Sequence, residues 1–230
     1  GNDDLGKEII SQLSDKGLNL HIATTEYPTG TVRVTLSGDG IPSYDICRGV
    51  AWDNIPWSDK LNELAKQTDA VCFGSLAQRD EVSRQTILRF LDTTPETALR
   101  IFDINLRQEF FSADIIHESF KRANIVKIND DEWEVVKPMM GLTPVLDNTT
   151  AVEEAERYSE KWFEGIDKII ERYGWKMLIL TCGTNGSFVL TADGKRFFQP
   201  TPKVTVVDTV GAGDSFTGSF VASLLNGNSF

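Results

Sequence analysis

From about residue 68 onward, short apolar runs alternate with amphipathic stretches, and that alternation constrains the fold of these 230 residues more than any other feature. "AVCFGSL" (70–76), "LRIFDIN" (99–105), "ANIVKIN" (123–129) and "KMLILTC" (176–182) are β-branched and aromatic runs of strand length. Between them, "DEVSRQTILRFLD" carries Val82, Thr86, Ile87, Phe90 and Leu91 on one helical face. A second helix is expected around Ala113 to Arg122. A long third one is expected over roughly Ala151 to Arg172, with Ala155, Tyr158, Trp162, Ile166 and Ile169 three or four residues apart. Strands separated by helices of this length build βαβ units, so the chain is α/β with a mainly parallel sheet covered on both faces.

Two regions break the rhythm. Residues 31–57 alternate Val32, Val34 and Leu36 and then turn at "GDG", which is antiparallel hairpin material for a small sheet set apart from the main one. Residues 186–207 read as a second meander turning at "ADGK". At the start, Leu5, Ile9, Ile10 and Leu13 have helical spacing. The whole is expected to form a single α/β domain over 1–230, with about 31–57 as a β subdomain. It opens without Met and stops after a helix, and so reads as a piece lacking structure at both ends.

A net charge of −11 gives no basic footprint for nucleic acid or an anionic membrane, and neither is expected as a partner. No apolar run approaches the ~20 residues of a membrane helix. Three scattered cysteines (Cys47, Cys72, Cys182) suit neither a disulfide framework nor a zinc cluster, which points to packing roles in a reducing cytoplasm. A small anionic ligand remains compatible with an acidic protein, because backbone amides at a helix N-terminus bind phosphate.

The stretch "DTVGAGDSFTG" (208–218) lies between a β-branched run and an apolar one, the strand, glycine loop and helix layout of an anion site. A dinucleotide fingerprint would need Gly where Phe216 stands, and a phosphate-binding Walker loop would need Lys where Ser219 stands. What remains is a nest of amides at Gly211, Ala212 and Gly213, with Asp214 opening the helix. A carboxylate there would repel a merely bound phosphate. It makes sense facing a hydroxyl about to attack phosphorus, whose proton it takes while the amides neutralise the transferring group. A helix cap on a tight turn would use the same residues.

In both residues and context, this stretch resembles the C-terminal signature of the ribokinase-like, or PfkB, carbohydrate kinases. Further segments extend the resemblance over essentially the whole chain, in detail like bacterial fructokinases: "GNDDLG", "YPTGTVRVTL", "AWDNIPW", "FGSLAQR", "FDINLRQ" and "KINDDEW". The resemblance implies a three-layer ribokinase-like sandwich, with the 31–57 hairpin as a β lid that could also pair two copies into a homodimer. It also implies an ATP- and Mg²⁺-dependent sugar kinase, with K⁺ as a further cofactor in some relatives.

Carried over by position, Asp214 becomes the catalytic base and the amides of Gly211 to Asp214 the anion hole. Asn129 and Glu132 of "KINDDE" organise phosphate and Mg²⁺, or else cap the next turn. Thr181 and Gly183 to Gly186 match the loop along the nucleotide, a place a plain tight turn would also fit, and Thr209 joins the nucleotide set. Arg107 matches an arginine near substrate or phosphates, although by itself it would form a surface ion pair with Asp103. Trp52 would stack on the sugar or pack within the hairpin. Asp208 and the carbonyl of Val210 match part of a monovalent-cation site. His21, in an expected strand, and His117, on a polar helix, read as structural.

The family's N-terminal sugar-gripping segment and its C-terminal adenine-closing segment have no counterpart here, so the isolated chain is expected to be weakly active or inactive. The acceptor expected first is fructose. 2-Keto-3-deoxygluconate, ribose or a nucleoside would use the same chemistry, and a non-catalytic sugar or nucleotide sensor is the reading from another class.

Overall fold

The computed structural model describes residues 1–36, 42–142, 160–206 and 208–228. The chain divides into two compact units, Gly1–Thr68 with Leu76–Glu96, and Asp69–Ser75 with Thr97–Phe230.

The first unit contains helix α1 (Asp4–Asp15), strands β1 (Val32–Leu36) and β2 (Pro42–Ile46), and helices α2 (Asp59–Lys66) and α3 (Glu81–Thr93). Asp3 caps α1. Its carboxylate accepts the Gly6 N–H at 2.8 Å, the Thr29 N–H at 2.7 Å and the Thr29 hydroxyl at 2.5 Å. The expected hairpin is present, β1 and β2 pairing antiparallel with Val32 opposite Ile46. Its "GDG" turn lies outside the described residues.

The buried face of α3 includes the expected Thr86 and Leu91 but is shifted from Val82 toward Ser83. Ser83, Thr86 and Leu91 are buried, while Val82 is 51% exposed. The reason is a hydrogen-bonding strip: the Ser83 hydroxyl donates to the Trp52 carbonyl (2.6 Å) and accepts the Ile55 N–H (2.8 Å), and the Thr86 hydroxyl donates to the Ile55 carbonyl (2.7 Å). These bonds turn the hydroxyl face of the helix inward. His21 lies in irregular chain rather than a strand.

The second unit holds β3 (Ala70–Phe73), β4 (Leu99–Asp103), α4 (Ala113–Arg122), β5 (Ile125–Asn129), α5 (Asp130–Val136), α6 (Ile166–Tyr173), β6 (Met177–Thr181), β7 (Ser187–Thr191), β8 (Arg196–Gln199) and α7 (Ala212–Leu225). The described strands form one sheet in chain order, β3 to β8. Pairing is parallel from β3 to β6, as the alternation requires, and antiparallel through β7 and β8. The chain after β8, 201–206, is not strand.

The sheet is covered on both faces. On one, α7 sets Val221 against Ile101, Ile125, Met177, Ile179 and Val189, with Phe216, Phe220 and Leu224 alongside. On the other, Phe102 meets Phe120 of α4 edge-on at 5.7 Å, and Phe120 in turn meets Trp175 at 4.7 Å.

The long helix expected over 151–172 is not continuous. Part of it lies outside the described residues, and the rest is a 3-10 turn (Glu160–Phe163) and α6, separated at Gly165, whose φ of 81° is left-handed. His117 lies on α4 with its Nδ1 2.6 Å from the Tyr173 hydroxyl. Among the described residues no helix is long and apolar enough to cross a membrane. Cys182 is buried, Cys47 is partly exposed and Cys72 is exposed; none of the three is in a disulfide.

Candidate active site

The two-residue period of β5 turns Ile125, Lys127 and Asn129 to the same face of the sheet. In register beside Lys127 stand Asp103 on β4 and Ile179 on β6, and beside Asn129 stands Thr181. This is the face α7 covers. On α7, Gly213, Thr217 and Val221 are four residues apart and form one stripe. Val221 enters the apolar cluster, and the buried Thr217 lies one turn nearer the helix start. Its hydroxyl is 2.9 Å from Asp103 Oδ2 and 3.0 Å from the Gly213 carbonyl. Lys127 Nζ lies 3.0 Å and 3.1 Å from the two Asp103 oxygens, and a Cβ on Gly213 would come within 3.2 Å of that ammonium. The start of α7 is thus seated on a charged row of the sheet.

The turn leading into α7 uses its glycine for backbone geometry. Gly211 is the N-cap with φ 75°, a conformation glycine adopts without penalty. The Ala212 N–H turns to the Thr209 carbonyl at 3.1 Å, and the Ser215 N–H bonds the Gly211 carbonyl at 2.8 Å. Gly213 and Asp214 lie in the first helical turn, where a helix supplies no internal acceptor for an N–H. Residues 208–215, Asp214 among them, are exposed. Asp208 accepts the Val210 N–H at 2.9 Å, and Val210 is 89% exposed.

Asn129 and Glu132 form the cap that their spacing allowed. Asn129 Oδ1 accepts the Glu132 N–H at 2.8 Å, and Glu132 Oε2 accepts the Asn129 N–H at 3.1 Å. Glu132 does more than close a helix, because its other oxygen accepts the Leu106 N–H at 2.8 Å and so ties β5 to the loop after β4. Burial pushes its carboxyl above the ordinary 4.5. The Asn129 and Leu106 amides and Lys127 pull it down, while Asp103 adds to the rise.

Arg107 lies in the loop after β4, between Asn105 and Gln108, both with left-handed φ (48° and 49°). It is exposed and donates from Nη1 to the Leu106 carbonyl at 2.9 Å. The expected Asp103–Arg107 pair is not what forms: Asp103 pairs with Lys127 one strand over. Past β6, the chain makes a 3-10 turn over Gly183–Asn185. Gly183 has φ 55° and its carbonyl accepts the Thr201 hydroxyl at 2.7 Å. Gly186, at φ 115°, leaves no room for a side chain, since a Cβ would come 2.5 Å from the Gln199 carbonyl oxygen. Asn129, Thr181 and the 183–186 turn therefore gather at the C-terminal ends of β5 and β6, the edge where parallel sheets place their ligands.

Trp52 belongs to the first unit, in a 3-10 turn (Ala51–Asp53) with its ring 3.2–3.4 Å from where a Cβ on Gly30 would stand. It lines a cavity of about 420 Å³ with Ile9, Ile10, Ile22 and Thr29. Beside it, Asp53 and Arg79 form an ion pair whose side chains are 0% and 2% exposed. Burial raises the Asp53 pKa, but the Arg79 hydrogen bonds and charge and the Val50 N–H outweigh it and hold the carboxyl below 3.8.

Sequence reasoning missed the row that Lys127, Asp103 and Thr217 form beneath the start of α7. The one signal was a lone lysine inside an otherwise apolar strand run.

The whole chain, residues 1–230, matches the sequence profile described as pfkB family carbohydrate kinase. A probable fructokinase-2 of Arabidopsis thaliana is 26% identical, with 100% of this chain and 66% of that protein covered. An aminoimidazole riboside kinase of Salmonella typhimurium is 25% identical over 99% of this chain and 67% of its own length. An uncharacterized sugar kinase from Pyrococcus horikoshii, solved in complex with ATP, superposes with a TM-score of 0.74 at 23% identity, covering 98% of this chain and 67% of that one. The chain spans about two thirds of the length of the curated relatives it matches. The fold is ribokinase-like, a mostly parallel central sheet with helices and a small antiparallel sheet.

Proposed function

Because the chain belongs to the pfkB family of carbohydrate kinases, we propose that the natural protein transfers the γ-phosphoryl group of ATP to a hydroxyl of D-fructose, giving ADP and fructose 6-phosphate. The observation that carries this reading is the exposed Gly211–Asp214 turn at the start of α7, where first-turn amides and a carboxylate occupy adjacent positions. The Gly211, Gly213 and Asp214 amides serve as the anion hole, and the Ala212 N–H joins them by leaving the Thr209 carbonyl. The helix dipole favours an anion there. Asp214 orients the sugar hydroxyl and takes its proton as the bond to phosphorus forms. Positioning and charge neutralisation suffice for so loose a transition state.

The nucleotide lies along Thr181, Gly183 to Gly186 and Thr209, with Asn129 toward the phosphates and Arg107 near the transferring group. Trp52 offers a face to the sugar. Among the described residues there is no group of three or more acidic, His or Cys side chains to cage a metal. Glu132 already receives two amides, so the residues suit a Mg²⁺ that keeps its waters and is held through them by this one carboxylate. Bound Mg²⁺ would neutralise charge on the β- and γ-phosphates. A monovalent cation at Asp208 and the Val210 carbonyl, a cytoplasmic location, a lid role for the β1–β2 hairpin and a homodimer through it belong to the same proposal. So does a single ribokinase-like domain over 1–230.

A coupled ADP-release assay of the natural full-length protein over a sugar panel tests the reading. Fructose should give the highest kcat/KM, ahead of ribose, 2-keto-3-deoxygluconate, aminoimidazole riboside and other nucleosides. A different preferred sugar would correct the substrate alone. Absence of ATP-dependent phosphorylation of every acceptor would overturn the kinase reading in favour of a sugar- or nucleotide-binding sensor. A pure binder, however, gains nothing from a carboxylate at Asp214.

A further inference from the structure

Lys127 is buried in the sheet directly beneath the loop assigned to the phosphoryl group, yet it fills none of the roles above. Its side chain is 10% exposed, and its partner Asp103 is 15% exposed. Asp103 receives two further constraints. It lies opposite Lys127 in the β4–β5 register, and the Thr217 hydroxyl reaches it from α7 at 2.9 Å. Thr217 also contacts the Gly213 carbonyl at 3.0 Å, and Gly213 leaves only 3.2 Å between an added Cβ and the Lys127 ammonium. A continuous path therefore runs from two strands, through one charge pair and one hydroxyl, to the backbone residue just before Asp214.

We infer that Lys127 is a positioning residue, which with Asp103 and Thr217 clamps the first turn of α7 so that its amides and Asp214 keep one aim. The inference rests on the kinase reading above, with Asp214 as base. The chemistry of the row explains its composition. A hydroxyl alone would tether the helix weakly, and a lone buried carboxylate beneath an anion site would repel the phosphoryl group. The ammonium cancels that charge and strengthens the hydrogen bond Asp103 accepts from Thr217. A Cβ at 213 would stand 3.2 Å from the ammonium, so the lysine would have to shift by a few tenths of an ångström to admit one.

Lys127→Met by itself leaves a buried carboxylate unpaired and risks loss of the fold. The decisive variant is therefore the double change Lys127→Met with Asp103→Asn, made in the natural full-length protein beside Thr217→Val, Lys127→Arg and Asp214→Asn. Each is measured for melting temperature, kcat, and KM for ATP. The clamp requires the double variant to melt near the wild type yet lose about a hundredfold in kcat, the scale of a misplacement of about 1 Å. Its KM for ATP should stay within about threefold. Thr217→Val, which keeps the charge pair and cuts the tether, should lose kcat in the same direction, and Lys127→Arg should recover much of it.

Wild-type kcat in the double variant or in a folded Thr217→Val would overturn the clamp. So would a rise in KM for ATP at unchanged kcat, because Lys127 would then be contacting nucleotide directly. Asp214→Asn separates the two levels. If it is dead while the clamp variants are fully active, only the clamp fails; if it retains full kcat, the base assignment fails first.

Discussion

Replacing Gly186 with Ala tests the loop assigned to the nucleotide through a cost that can be worked from geometry. At φ 115° and ψ −158°, Gly186 occupies a region that L-residues avoid, at about 1–3 kcal/mol. A Cβ there would stand 2.5 Å from the Gln199 carbonyl oxygen and 2.7 Å and 2.9 Å from ring atoms of Phe198. The ring can rotate away, but the carbonyl belongs to β8, paired in register with Ser187. Relieving the overlap splays that end of the β7–β8 ladder and weakens a backbone hydrogen bond worth about 1 kcal/mol net. The sum is about 2–4 kcal/mol, or roughly a 5–15 °C fall in Tm for a chain of this size. Gly183→Ala is the control. It has φ 55° but nothing within 4 Å of the added Cβ, so it costs only the left-handed penalty of about 1 kcal/mol. Thermal melting followed by circular dichroism orders the two, and KM for ATP should rise more for Gly186→Ala. Equal Tm values for the two variants, or a Gly186→Ala protein melting with the wild type, would refute the packing argument.

Other variants probe the rest of the chain. Arg79→Met strands the buried Asp53 carboxylate and should cost about 3–5 kcal/mol by denaturant unfolding, much of it recovered when Asp53→Asn is added. Three hydrogen bonds from Thr29 and Gly6, the Thr29 hydroxyl first, lower the Asp3 pKa from 3.8 to about 2. A depressed carboxylate pKa contributes stability that is present above 3.8 and lost as pH falls toward 2. Asp3→Ala should therefore be less stable than the wild type at neutral pH, with the gap closing across that window in acid unfolding. A homodimer through the β1–β2 hairpin, where Val32 and Val34 are 46% and 56% exposed, should be lost in Val34→Lys by sedimentation analysis. An unchanged molecular mass would remove the hairpin from the interface.

The parallel sheet was legible because its strands are continuous apolar runs, and Ala113–Arg122 was legible because Ser112 caps it and basic residues end it. Gly165 was not read as a break, since a glycine between apolar positions of helical spacing looks like any other residue until its φ is known. The inward face of α3 was misread only at Val82 and Ser83, because Ser83 is buried by hydrogen bonds to Trp52 and Ile55 rather than by apolar contact. At the site, Asp214 and its glycines stand together in eleven consecutive residues and could be read directly. The row beneath them could not: Thr217 and Asp103 are 114 residues apart, and only the sheet register and the stripe of α7 bring them together. A local pattern favoured Arg107 as the partner of Asp103; the register chose Lys127.

Asp214 carries the central claim, and one substitution addresses it. Asp214→Asn keeps the shape of the first turn and its amides while removing the group that takes the proton. In the natural full-length protein, kcat for ATP-dependent sugar phosphorylation should fall by about 10²–10⁴-fold, the usual contribution of a general base, with ATP binding by calorimetry nearly unchanged. A variant that binds ATP and turns over sugar at the wild-type rate would contradict the account.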